Sequence, residues 1–117
     1  MPTGKLRGEL RFLKNEHPDR KDVAFKTLLA YCTNVVDNPA EPKFRRIKKE
    51  NKAFVARIKS CGERGTNFLA VCGFADDGGE FLQIVVPEGG SFEADVLPTV
   101  KAAKRELEKS INNPFWL

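Results

Sequence analysis

The sequence is arranged around residues 43–58, which read Lys43-Phe44-Arg45-Arg46-Ile47-Lys48-Lys49-Glu50-Asn51-Lys52-Ala53-Phe54-Val55-Ala56-Arg57-Ile58. Apolar residues recur at helical spacing and are predicted to share one face, namely Phe44, Ile47, Phe54 and Ile58. Asn51 takes the remaining place on that face, and we expect the helix to break there. Its amide needs hydrogen-bond partners, because an unpaired buried amide costs about 1–3 kcal/mol. Most other positions are Lys or Arg, so the pattern favours an acidic peptide ligand with an apolar anchor.

Two helices are predicted before this stretch. The first is expected to be capped by Thr3 and to bury a row of leucines, namely Leu6, Leu10 and Leu13. The second runs from Asp22 to about Asp37 with a continuous apolar face. Another of its faces carries Tyr31, Asn34 and Asn38, which form either a recognition line or a solvated flank.

A short helix and a hairpin are predicted after the basic stretch. Thr66 or Asn67 is expected to cap the helix, and Gly73 is expected to end it. Two β-prone runs flank the turn at residues 76–79, and the second run spans residues 81–86. These runs predict a small antiparallel hairpin.

The last part of the chain is predicted to be helical and then apolar. The final helix starts at Ser91 or, because Pro98 falls inside that span, at Leu97. Residues 112–117 are too apolar to stay freely exposed, so we expect them to fold back onto the body. We expect a single domain over residues 1–117 and a monomer. The chain is either a small whole protein or an excised domain.

Composition narrows the function classes. The chain is 41% hydrophobic and 31% charged with a formal charge of +4, which indicates a folded domain with a local basic patch. No apolar run reaches the roughly 18–20 residues of a membrane span. Cys32 and Cys72 are expected to be buried thiols, and Cys61 is expected to be exposed in a turn. Free thiols fit a reducing compartment, so we expect a cytoplasmic or nuclear protein.

Catalysis has little material in this sequence. The glycine pairs lack the spacing and the lysine of a phosphate-binding loop. No serine has recognisable acid–base partners, and the single histidine, His17, cannot build a metal site alone. We therefore predict no enzymatic activity, no cofactor and no metal.

Three interpretations of the basic run at residues 43–59 stay open. One is a solvated helix face. Another is a nucleic-acid site, in which the eight cations follow phosphates, although Phe44 and Phe54 share a core-like face and not an exposed stacking surface. The last is a groove between this run and the second helix, where cations steer an acidic peptide and a pocket beside Asn34 and Asn51 takes its apolar side chain.

Six short motifs carry a resemblance to a known family. They read Tyr31-x-x-Asn34, Asn38-Pro39, Lys43-Phe44-Arg45-x-Ile47, Asn51-x-x-Phe54-x-x-Arg57-Ile58, Phe68-Leu69 and Gly73-Phe74. In these motifs the chain resembles the PUB domain, also called PUG, found in peptide N-glycanase and in several ubiquitin-pathway adaptors. The resemblance covers about residues 22–110 and leaves the first helix and the C-terminal tail as extensions.

The resemblance implies both a fold and a role. The fold is α/β, with a helical cluster of about five helices packed on a small sheet of about three strands. The role is that of a non-catalytic adaptor, because PUB domains bind the acidic C-terminal tail of the valosin-containing AAA ATPase. That tail has a leucine and a tyrosine near its end. The resemblance thus implies a link between this ATPase and factors of ubiquitin-dependent and ER-associated degradation.

The resemblance also implies the binding residues. Carried over position by position, they are Tyr31, Asn34, Lys43, Phe44, Lys48 and Asn51, with Arg45 and Ile47 close by. Phe44 stands where a tyrosine is common, which removes a hydroxyl, and Lys48 stands where arginine occurs, which removes a planar fork. Each change is expected to weaken binding by about 1 kcal/mol or to shift the preferred tail.

Overall fold

Five helices account for most of the chain in the computed structural model, which describes residues 3–113 and 115–117. They are α1 (Thr3–Glu16), α2 (Lys21–Asp37), α3 (Lys52–Arg57), α4 (Glu63–Val71) and α5 (Leu97–Asn112). Short 3-10 turns at Pro42–Arg45 and Lys59–Cys61 and a π-helical turn at Phe92–Val96 join them. Together with a three-stranded sheet, they confirm the predicted fold class.

The sheet consists of β1 (Arg46–Lys48), β2 (Phe74–Asp76) and β3 (Phe81–Ile84). Its strand order is β1-β3-β2, and both pairs are antiparallel. The predicted hairpin is confirmed as β2–β3, although β3 ends two residues before the predicted end at residue 86. In its turn the carboxylates of Asp76 and Asp77 accept hydrogen bonds from the backbone N–H groups of Gly78 and Gly79 at 2.8 Å and 2.7 Å.

The predicted helical face over residues 43–58 is wrong in its first half. Residues 42–45 form a 3-10 turn that starts at Pro42, and residues 46–48 form β1. The break at Asn51 is confirmed, because α3 starts directly after it. Pairing of Ile47 opposite Leu82 of β3 overrides the local helical spacing, and Ile47 still reaches the core from the buried position of the strand.

Two predicted helix starts fall elsewhere. Helix α4 begins at Glu63 and not at Thr66 or Asn67. Gly62 adopts a positive φ of 63° and reverses the chain directly before Glu63. The Thr66 hydroxyl instead donates to the Glu63 carbonyl at 3.1 Å. Thr3 is itself helical, so it does not cap α1 as predicted.

The start of α5 combines the two predicted positions. Ser91 accepts a hydrogen bond from the Ala94 N–H at 3.1 Å and caps the π-helical turn. The α-helix proper then begins at Leu97 with Pro98 in its first turn, where a missing N–H leaves no bond unmade.

The core lies between the helices and one face of the sheet. The predicted row on α1 is confirmed, since Leu6, Leu10 and Leu13 have no exposed surface. Cys32 and Cys72 are buried as predicted, and a hydrogen bond with Cys32 together with burial raises the pKa of Cys72. The expected exposure of Cys61 is wrong, because the 3-10 turn at 59–61 packs against α4 and turns its thiol inward.

The C-terminal tail folds back in part. The Trp116 indole N–H donates to the buried carboxylate of Glu106 at 2.8 Å, and the same carboxylate pairs with Arg7 of α1 at 3.0 Å. Arg7 and Lys109 also lie over the Trp116 ring, at 4.5 Å and 4.6 Å from its centroid. Phe115 does not follow the prediction and is 92% exposed, and Pro114 lies outside the described residues. No helix in the described part is long and apolar enough to cross a membrane.

Candidate functional site

A groove of about 720 Å³ separates α2 from the segment that follows it. One wall is a single face of α2, with residues at helical spacing: Val23, Lys26, Thr27, Ala30, Tyr31 and Asn34. The other wall comes from the 3-10 turn, β1 and α3: Lys43, Phe44, Arg46, Ile47, Lys48, Asn51, Ala53 and Arg57. The opposite face of α2 is the buried one, so core packing holds this wall in place.

The bottom of the groove is apolar where Tyr31, Phe44 and Ile47 line it. Tyr31 and Phe44 are half-buried and pack against the core, and Ile47 is buried. Burial raises the pKa of Tyr31, and the nearby positive charge of Arg57 opposes this shift. The Tyr31 hydroxyl therefore stays protonated at neutral pH, and this part of the groove can hold an apolar side chain.

The carbonyl oxygen and the NH₂ group of the Asn51 side chain have different roles. Its carbonyl oxygen accepts hydrogen bonds from the backbone N–H groups of Ala53 at 3.0 Å and Phe54 at 3.2 Å, which caps α3. The cap fixes the side chain and leaves its NH₂ group, with two donors, for a ligand in the groove. The predicted need of the Asn51 amide for hydrogen-bond partners is thus satisfied by backbone N–H groups at the start of α3.

Asn34 stands across the groove on the last turn of α2. It is exposed, and no hydrogen bond to its side chain occurs within the described residues. Its backbone carbonyl is already engaged, accepting from the backbone N–H and the side-chain NH₂ of Asn38 at 3.1 Å and 3.2 Å. Both predicted asparagines therefore face the same groove with free amide donors, which suits a peptide main chain.

The groove is strongly positive. Its lining includes cations but no carboxylate: Lys26, Lys43, Arg46, Lys48 and Arg57. None of them forms an ion pair with a carboxylate in the part of the chain that the structure describes. Lys43 and Arg46 instead lie over aromatic rings, those of Phe44 at 5.1 Å and Phe81 at 4.8 Å. Such a cluster attracts an acidic ligand from a distance.

Arg45 differs from the other predicted site residues because it does not line the groove. Its guanidinium stacks on Phe92 with 3.7 Å between Cζ and the ring centroid, and its Nη2 donates to the Pro39 carbonyl. Its Nε is buried without a partner among the described residues. Arg45 thus joins the turn after α2 to the π-helical turn, and it supports the groove from outside its lining.

The remaining predicted residues meet in the groove, and the structure adds others. Tyr31, Asn34, Lys43, Phe44, Ile47, Lys48 and Asn51 all line it. Sequence reasoning missed Lys26, Arg46 and Arg57 as lining cations. A signal existed for Lys26, which lies two helical turns before Asn34 on the same face of α2. No local pattern indicates that Arg57 faces that helix.

Comparison with known proteins agrees with this architecture. The sequence matches the family model of the PUB domain over residues 18–103, from the loop before α2 into α5. The UBX domain-containing protein 6 of Caenorhabditis elegans is 38% identical over 64 residues, which cover 55% of this chain and 14% of that protein. The chain thus spans only a small part of this relative. Since the family match covers most of the chain and includes every residue of the groove, the chain belongs to the PUB domain family.

Proposed function

We propose that this PUB domain is a non-catalytic adaptor that docks the acidic C-terminal tail of the valosin-containing AAA ATPase. The observation that carries the proposal is the groove itself, which combines five cations, no carboxylate and an apolar pocket. A ligand that fits must be acidic and must carry an apolar anchor. The tail that the family binds has both, with a leucine and a tyrosine near its end.

Each part of the groove has a role in this proposal. The half-buried rings of Tyr31 and Phe44 contact the anchor side chain, which leaves water on binding. The free amide donors of Asn34 and Asn51 bind the carbonyl groups of the peptide. The lysines and arginines at the rim raise the association rate and select against basic peptides.

The relative supports an adaptor role. Its name records a UBX domain in a protein that also contains a segment similar to this chain. We propose that this chain links the ATPase to ubiquitin-pathway and ER-associated degradation factors. We propose a cytoplasmic or nuclear location, because three free thiols are compatible with a reducing compartment and such factors act there.

Calorimetry with a synthetic tail peptide tests the proposal. We expect a dissociation constant in the micromolar range, which corresponds to about −8 kcal/mol at 1 μM. A control peptide with both anchor residues replaced by serine keeps the acidic charge and is expected to lose most of the binding heat. Equal affinity for both peptides would reject the apolar pocket, and no binding at millimolar concentration would reject the docking role altogether.

A nucleic-acid ligand is the alternative that the five cations also favour. Salt dependence separates the two ligands, because counterion release makes the affinity for nucleic acid fall steeply. A single strand that neutralised all five cations would lose about 100-fold in affinity between 50 and 200 mM salt. The anchored peptide is expected to lose much less over the same range. A steep loss for an oligonucleotide that binds more tightly than the tail peptide would favour the alternative.

A further inference from the structure

The groove continues beyond the proposed anchor pocket, toward the N-terminal end of α2. Val23, Lys26, Thr27 and Ala30 line this continuation, which we name the α2 subsite. Val23 lies eight residues before Tyr31, and at 1.5 Å of rise per residue this places it about 12 Å away along the helix axis. None of these residues belongs to the binding residues implied by the family resemblance.

The side chains of the α2 subsite suit an extended main chain lying close to the helix. Val23 is 50% exposed, and Ala30 is small and exposed. The Thr27 hydroxyl donates to the Val23 carbonyl at 2.8 Å, so it does not compete for ligand groups. The lining of the subsite thus combines apolar groups, a hydroxyl that is already engaged and one cation.

The charge around the α2 subsite is positive. Lys26 belongs to its lining, and Arg57 lies in the same groove on α3. Neither forms an ion pair with a described carboxylate. A ligand segment that lies here gains two opposite charges without displacing an existing partner.

We infer that the α2 subsite binds the acidic residues that precede the anchor in the same peptide. This inference rests on the proposed function, in which the anchor is close to the C-terminus of the ligand. The peptide can then leave the pocket only toward its own N-terminus. About 12 Å of helix accommodates about four extended residues at 3.3 Å each. The specificity of the domain thus extends to an acidic segment of about four residues upstream of the anchor.

A comparison of peptide lengths tests the inference. The probes are a short anchor peptide, the same peptide preceded by four Asp or Glu residues, and the same peptide preceded by four Ser or Gly residues. We expect the acidic extension to tighten binding at least about twofold, since an exposed ion pair gives about 1.4- to fivefold and two cations are present. The neutral extension is expected to give less than twofold.

Two charge-matched variants locate the effect. Lys26→Glu and Lys101→Glu change the net charge equally, and Lys101 is an exposed residue of α5 outside the groove. Lys26→Glu is expected to remove most of the gain from the acidic extension, so that the long and the short peptide bind with similar affinity. Lys101→Glu is expected to keep the gain. Val23→Ser, an uncharged change at a half-exposed position, is expected to weaken binding of the long peptide more than binding of the short one.

The outcomes separate this inference from the function on which it rests. Equal affinity of short and acidic long peptides, or an equal loss of the gain in both lysine variants, would overturn the inference and leave the docking role intact. Failure of every tail peptide to bind would overturn both. A gain that depends on Lys26 and not on Lys101 supports the inference.

Discussion

Replacing Asn51 by serine should separate the folding role of this side chain from its binding role. The Asn51 oxygen caps α3 through two hydrogen bonds of 3.0 Å and 3.2 Å, whereas its NH₂ group is free for the ligand. Serine is as good a cap as asparagine but lacks the two amide donors. Alanine lacks both the cap and the donors, so the pair of variants isolates each role.

The magnitudes follow from these contacts. Asn51→Ala is expected to lower the free energy of unfolding by about 0.5–2 kcal/mol, because the cap is lost, and Asn51→Ser by no more than a few tenths. In both variants the peptide loses at least one hydrogen bond of about 0.5–1.5 kcal/mol. Binding should therefore weaken about two- to twelvefold in each.

Urea unfolding and calorimetry with the tail peptide measure the two effects on the same samples. The expected pattern is near wild-type stability with weakened binding for Asn51→Ser. If Asn51→Ser binds as tightly as the wild type, the NH₂ group does not contact the ligand and the reasoning fails. If Asn51→Ser loses as much stability as Asn51→Ala, the oxygen is not the cap.

Three further predictions concern the scaffold. Gly65→Ala should destabilise the domain by about 1–3 kcal/mol, because the added Cβ would lie 2.7 Å from the Ile58 side chain. Gly8→Ala should instead stabilise it by about 0.5–1 kcal/mol, because no atom lies within 4 Å of the added Cβ. Thermal unfolding of both variants measures the difference, and equal effects would contradict this packing. Arg45→Lys should lower stability by about 1 kcal/mol, through loss of the stacked planar guanidinium, and leave peptide affinity unchanged; an affinity loss with intact stability would place Arg45 in the site after all. Burial raises the pKa of Glu106, but hydrogen bonds from Arg7 and Trp116, together with the positive charges of Arg7 and Lys109, outweigh burial and lower the pKa. Since a lowered folded-state pKa gives stability that is lost as pH falls, the wild type should lose stability below its ordinary pKa of 4.5 and Glu106→Gln should lose less over that range, as measured by urea unfolding at several pH values.

Local periodicity predicted the parts of the fold that depend on local packing. The leucine row of α1, the buried face of α2 and the β2–β3 hairpin all follow from short-range spacing or turn residues. Strand β1 could not be predicted in this way, because its three residues form a strand only by pairing with β3. The partner strand is distant in sequence, since Lys48 pairs with Phe81. The burial of Cys61 likewise depends on the packing of its turn against α4.

The groove residues that match motifs of the PUB family could be predicted from the sequence. Those that reach the groove only through tertiary packing could not. Tyr31, Asn34 and Asn51 come from two segments that only a known fold can bring together. Carrying binding positions over from the family also put Arg45 close to the site, because the sequence alone does not reveal its stacking on Phe92. The charge of the groove also depends on Arg57, whose direction is set by how α3 packs against α2.

The contact of Trp116 and Glu106 with Arg7 changes what counts as the folding unit. Family matching begins at residue 18 and ends at residue 103, yet Leu6, Leu10, Leu13 and Leu107 beyond those limits have no exposed surface. A protein trimmed to the matched range would present a bare apolar face where α1 and the end of α5 had been. Versions of this domain made for experiments should therefore retain both terminal segments, since these segments cover the apolar face although they do not line the groove.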